Sequence, residues 1–208
     1  MIKNVVFDMG GVLREFDKEK FLSDMHIDDP EDRKLLLDEV FGSKEWAMMD
    51  RGSIDQDAAY KEMIFNLPER LHEDARILVY AWEQYSAPIK GMAEFCQELY
   101  DQGYDLYLLS NAPKRLRKDF WPSIPKHELF KGLVVSAECG YIKPHDEIFR
   151  YLLDTYNLKA EECIFIDDHN VNVEGGVYCG LHGIVFHGDM DRLRERFNRI
   201  ISQNIQTI

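Results

Sequence analysis

Four short, unbroken apolar runs punctuate the chain, at residues 5–7, 106–109, 163–166 and 183–186, and each ends in polar or turn residues. Continuous rather than alternating hydrophobicity suits strands covered on both faces. Residues 133–135 form a weaker fifth run. The stretches 92–100, 147–156 and 173–179 carry apolar residues at helical spacing, and 189–203 reads as a closing helix. This alternation predicts a doubly wound parallel α/β sheet.

The gap between the first and second runs is too long for a single crossover helix. Residues 16–85 show several amphipathic helical patterns and no convincing strand. Candidate helices lie at 18–25, 30–41, 55–66 and 73–85, punctuated by Pro30, Gly52, Ser53 and Pro68. An all-helical cap inserted after the first strand is therefore expected, with the α/β core at 1–15 and 88–208 and the cap at 16–87.

Composition narrows the partners. The 208 residues are 45% hydrophobic and 30% charged, enough to bury a full core. Lys and Arg number 25 against 38 Asp and Glu, so the net charge of -13 repels nucleic acid and anionic membranes alike. An anionic ligand would need local positive charge from a metal, a lysine or backbone N–H groups. Cys96, Cys139, Cys163 and Cys179 show no C-x-x-C spacing and read as reduced thiols. The N-terminus enters a strand directly, with no signal-like apolar region, and a cytoplasmic protein is expected. The oligomeric state is not encoded in any of these features.

Ligands in open parallel sheets bind beyond the carboxyl ends of the strands. The first run ends in Asp8-Met9-Gly10-Gly11, the second in Ser110-Asn111, and the third in Asp167-Asp168. Lys143 stands on a Gly140–Pro144 loop ahead of that third run, within reach of the same crevice. Such a set suits attack on phosphorus. An aspartate can approach a phosphate dianion only where a divalent cation and a fixed positive charge neutralise the developing transition state. Magnesium, a hard cation that takes oxygen ligands and keeps several waters, suits carboxylates at such strand ends.

The order Asp8, Ser110, Lys143, Asp167-Asp168 resembles the four motifs of the haloacid dehalogenase superfamily. FDMGGVL at 7–13, SNAPKRL at 110–116, FWP at 120–122, YIKP at 141–144 and FIDDHNVNVEGG at 165–176 resemble a narrower branch. That branch contains bacterial alpha-D-glucose-1-phosphate phosphatases and the N-terminal phosphatase domain of soluble epoxide hydrolase. The resemblance implies Asp8 as nucleophile, and a Mg2+ ion held by the Asp8 carboxylate, the Gly10 carbonyl and Asp168. It places Ser110, the Asn111 backbone N–H and Lys143 on the phosphate, with Asp167 behind them and Asn172 orienting the loop. The implied activity is hydrolysis of a small phosphorylated metabolite, a sugar phosphate, through an aspartyl-phosphate.

One position departs from the pattern. Family phosphatases carry an acid two residues after the nucleophile, and here Gly10 stands there. Three explanations remain open: no acid replaces it, so that aryl, acyl and anomeric phosphates are favoured and Gly10→Asp accelerates alkyl esters alone; Glu15 or Asp17 reaches back to supply the proton; or the chain is a non-catalytic phosphate-binding module. Trp46, Met48, Met49, Trp82 and Tyr85 are candidates for the pocket wall, although core packing within the cap is the simpler role for the two methionines. Lys143, as a loop lysine, is expected to matter for catalysis and little for stability.

Overall fold

The structure is a computed structural model and describes residues 1–205. Five strands, β1 Asn4–Phe7, β2 Asp105–Ser110, β3 Phe130–Val135, β4 Cys163–Asp167 and β5 His182–Val185, form one parallel sheet in the order β3-β2-β1-β4-β5. Successive strand residues face opposite sides. Val5 and Phe7 enter a core with Phe95, Leu99 and Phe197, while Val6 enters a second core with Ile148, Phe149 and Leu152. Double coverage explains the unbroken apolar runs.

Between β1 and β2 the chain forms α1 Lys18–Asp24, α2 Pro30–Leu36, α3 Lys44–Arg51, α4 Gln56–Phe65 and α5 His72–Tyr80. Helix α2 is prolonged by a wider π turn over Leu37–Phe41, and a 3-10 turn over Trp82–Tyr85 follows α5. Asp17, Asp29, Ser43 and Asp55 cap α1 to α4 by accepting first-turn backbone N–H groups. The all-helical cap is as expected, with two differences. The 73–85 pattern breaks at Ala81, and α3 lies where no helix was expected.

Core helices α6 Met92–Asp101 and α10 Met190–Ile205 cover the first face of the sheet, and α8 Asp146–Tyr156 covers the second. Short α7 Ser136–Cys139 follows β3, and α9 Asn170–Tyr178 follows β4. All four cysteines are free thiols. Among the described residues, no helix is long and apolar enough to cross a membrane.

Arg14 holds the place where the chain leaves and rejoins the core. It bridges Pro88 antiparallel, and its buried guanidinium donates to Ser86 Oγ at 3.2 Å and Ser123 Oγ at 2.9 Å. The Ser86 and Glu83 carbonyls accept its remaining N–H groups. We propose the cap limits there, at 15/16 and 87/88. Rings then tie cap to core: Phe16 lies 4.9 Å from Trp82, which lies 5.0 Å from Phe120.

Candidate active site

Strand register gathers the polar ends. Phe7 pairs with Leu108 on one side and Ile166 on the other, so Asp8, Ser110 and Asp167 emerge together at the carboxyl edge of three adjacent strands. The strand order also reverses at β1, where such sheets open a crevice. A cavity of about 350 Å³ fills it, lined on the core side by Asp8, Gly10, Ser110, Asn111, Lys143, Asp168 and Asn172. Asp167 lies fully buried behind them. A neighbouring hollow of about 190 Å³ holds Lys114 and Arg115 but borders neither Asp8 nor Lys143.

Lys143 is the electrostatic hinge of the site. Its Nζ lies 2.7 Å from Asp8 Oδ1 and 2.6 Å from Asp167 Oδ2, with the side chain almost wholly buried. Burial alone would lower its proton affinity, but Asp8 and Asp167 outweigh that and hold the ammonium above its ordinary range. Its loop is fixed by Asn111, whose Oδ1 accepts from Lys143 N at 2.8 Å and whose Nδ2 donates to Lys143 O at 3.0 Å. Asp167 in turn accepts from His169 N at 2.9 Å and Asn172 Nδ2 at 3.0 Å. The expectation that Lys143 contributes little to stability is therefore corrected: it neutralises two buried carboxylates.

The β1 loop is shaped for close approach. Gly11 has φ +72°, and a Cβ there would fall 2.4 Å from Asp168 Oδ2. Glycine alone lets Asp168 reach the loop. Asp168 is further held by His169, whose Nδ1 lies 2.8 Å from Asp168 Oδ1.

The donor set fits a small hard cation. Asp8 and Asp167 pair with one ammonium, and Asp168 adds a third carboxylate nearby. Burial pushes the Asp8 carboxyl up to about 7, with Lys143 opposing and Asp167 and Asp168 adding to the rise. Burial also raises Asp168, against the opposing His169 contact. The cluster is thus short of positive charge, and carboxylate oxygens on one rim are what magnesium takes.

The cap supplies the opposite wall. Phe16, Trp46 and Trp82 present rings, and Asp50 presents a carboxyl. Trp46 and Trp82 therefore line the cavity. Met49 packs in the core, Met48 is exposed, and Tyr85 packs partly buried against the core. Neither proposed substitute acid borders the cavity. The Asp17 carboxylate is engaged as the α1 cap, accepting from Lys20 N at 3.0 Å, and Glu15 faces Lys20 at 3.5 Å.

Asp50 was missed by sequence reasoning. It lies on α3, whose apolar residues, Trp46 to Met49, follow one another directly and so do not display the spacing that marks a helix. The available signal was the bracket of Ser43 as N-cap and Gly52, at φ +79°, as left-handed stop.

Comparison with known proteins identifies the family. A family model described as haloacid dehalogenase-like hydrolase matches residues 2–180. A sesquiterpene phosphatase of Aspergillus oryzae is 28% identical over 188 residues, covering 88% of each chain. A D-ribitol-5-phosphate phosphatase of Bacteroides thetaiotaomicron is 24% identical, covering 86% of this chain and 89% of that one. A Bacteroides thetaiotaomicron haloacid dehalogenase-family enzyme, solved as a mutant with magnesium and inorganic phosphate, shares the fold at TM-score 0.70. It is 22% identical, with 93% of this chain and 99% of that chain covered. With that match across most of its length and the four motifs converging on one crevice, the chain belongs to the haloacid dehalogenase-like hydrolases.

Proposed function

We propose that the protein is a magnesium-dependent phosphatase that hydrolyses a small phosphorylated metabolite through an aspartyl-phosphate on Asp8. The observation that carries this reading is the 2.7 Å contact between Asp8 and a buried Lys143 at the floor of a cavity large enough for a small phosphate ester. The ammonium both orients the attacking carboxylate and offsets the charge of an incoming phosphate. Ser110 Oγ and the Asn111 backbone N–H take phosphate oxygens, while Asp167 and Asn172 hold Lys143 and the loop in place. Magnesium, bound by the Asp8 and Asp168 carboxylates and the Gly10 carbonyl, would neutralise phosphate charge. The relatives named as phosphatases and the magnesium and phosphate in a fold neighbour support the assignment.

A sugar or polyol phosphate is the first substrate reading, supported by the relative that acts on D-ribitol-5-phosphate. The wall of Phe16, Trp46 and Trp82 favours a second, an ester with an apolar organic part. Aromatic walls leave most hydroxyls of a polyol without partners, which costs about 1–3 kcal/mol per buried group. The sesquiterpene phosphatase relative supports that second reading. We propose a cytoplasmic setting, as the sequence implies.

A panel of sugar, polyol, prenyl and aryl phosphates, assayed for phosphate release with magnesium, tests the assignment. Turnover lost in Asp8→Asn is the expected result. Tight phosphate binding with no turnover of any ester would instead establish the non-catalytic module.

A further inference from the structure

We propose that Asp50, reaching into the cavity from cap helix α3, protonates the leaving oxygen and then activates water, in place of the acid that position 10 lacks. The inference rests on the phosphatase reading and deepens it. Gly10 carries no proton donor, and Glu15 and Asp17 face elsewhere. Asp50 is the cap carboxyl that borders the same cavity as Asp8, Lys143 and Asp168.

Its backbone is placed by two core contacts. Ser136 Oγ donates to the Asp50 carbonyl at 2.5 Å and accepts from Ala112 N at 2.8 Å. The hydroxyl thereby ties Asp50 to the loop that carries Ser110 and Asn111. Two residues on, a Cβ at Gly52 would lie 2.3 Å from Ala137 O, so glycine lets α3 press directly onto α7. Cap docking and placement of the carboxyl are one event.

The surroundings keep it protonated. Burial pushes the Asp50 carboxyl up to about 8, opposed by a hydrogen bond from Trp46, raised further by Asp8, and opposed again by Lys18 and Lys143. A neutral carboxyl at pH 7 is the form an acid catalyst needs. In the first step Asp8 Oδ bonds to phosphorus, the P–O ester bond breaks, and the leaving oxygen takes the Asp50 proton. In the second, water gives a proton to the Asp50 carboxylate and its oxygen bonds to phosphorus. The P–Oδ bond to Asp8 then breaks, releasing inorganic phosphate and restoring both residues.

Asp50→Asn, assayed with magnesium on p-nitrophenyl phosphate and benzyl phosphate, tests this. The two esters are similar in size, but only the benzyl alkoxide needs a proton to leave. We expect the variant to release about one p-nitrophenolate per enzyme in a fast burst, then to turn over slowly because dephosphorylation has lost its base. Benzyl phosphate should show no burst and a loss of about 10²–10⁴-fold. The wild-type rate on benzyl phosphate should fall above pH 8, and the variant should lack that limb. Wild-type benzyl turnover in the variant, or an aryl burst slowed as much as the benzyl reaction, overturns the proposal. A wild-type protein inert toward both esters overturns the phosphatase reading and the proposal together. Turnover surviving in Asp8→Asn sinks the nucleophile assignment alone.

Discussion

Asn111 and Lys143 hold each other by two reciprocal hydrogen bonds, side-chain amide to backbone N–H at 2.8 Å and to backbone carbonyl at 3.0 Å. The pair locks the loop of Lys143 to the end of β2. Asn111→Ala leaves both backbone groups of Lys143 unpartnered at a partly buried site, a cost of about 1–3 kcal/mol. We expect kcat to fall about 10- to 100-fold with a small drop in Tm. An unchanged kcat would show that the lysine is held without this clamp.

Lys143→Ala removes the one ammonium among three buried or half-buried carboxylates. Breaking a buried ion pair costs about 3–5 kcal/mol, so Tm should fall substantially as well as activity. The loss should be greatest in chelator and smaller with magnesium, which replaces part of the missing charge. Equal melting temperatures of variant and wild type would refute the electrostatic account.

Magnesium should raise Tm by mass action, and chelator should abolish turnover. Asp8 and Asp168 both hold protons more tightly than free carboxylates, and metal binding must displace those protons. The stabilisation per millimolar magnesium should therefore grow between pH 6 and pH 8. A pH-independent shift would place the ion elsewhere.

Much of the candidate site was legible because its polar residues sit at strand ends, where a short apolar run and the polar residue after it are adjacent in sequence. Asp8, Ser110 and Asp167-Asp168 follow that rule, and the register of β1 with its two neighbours brings them together. Lys143 could be placed only by its Gly140 and Pro144 punctuation and by resemblance, and its burial between Asp8 and Asp167 was not visible at all. Asp50 escaped because a single carboxylate in a chain of 38 acidic residues normally faces water. Its partner Ser136, and the Ala137 on which neighbouring Gly52 packs, are more than eighty residues away, and only tertiary docking reveals them.

Asp50 also couples stability to pH. Its carboxyl is raised to about 8 in the folded chain, from an ordinary value near 3.8, so the folded state binds this proton more tightly than the unfolded one. The stabilising contribution is full below the unfolded value and is lost as pH rises through 8. Asp50→Asn removes that term, so the Tm difference between variant and wild type should move in the variant's favour from pH 6 to pH 9. Parallel Tm curves would mean that the carboxyl is not buried in the neutral form.

Gly10→Asp supplies the last test, because it installs a carboxyl at the position family phosphatases use. Gly10 does not have a left-handed backbone, but its new Cβ would lie 3.2 Å from Phe16 Cβ, so the aromatic wall must give by a few tenths of an ångström. If position 10 were simply lacking its acid, this change would accelerate alkyl phosphate hydrolysis in the native protein. With Asp50 already serving, the addition should bring little gain and a modest loss from the displaced Phe16. The same substitution in an Asp50→Asn background should restore benzyl phosphate turnover by at least about tenfold, since a positioned acid is worth about 10²–10⁴-fold. Non-additivity of that kind is the signature of two residues filling one role. Strong acceleration by Gly10→Asp alone, with no rescue of Asp50→Asn, would return the missing proton donor to position 10 and leave Asp50 as a wall residue.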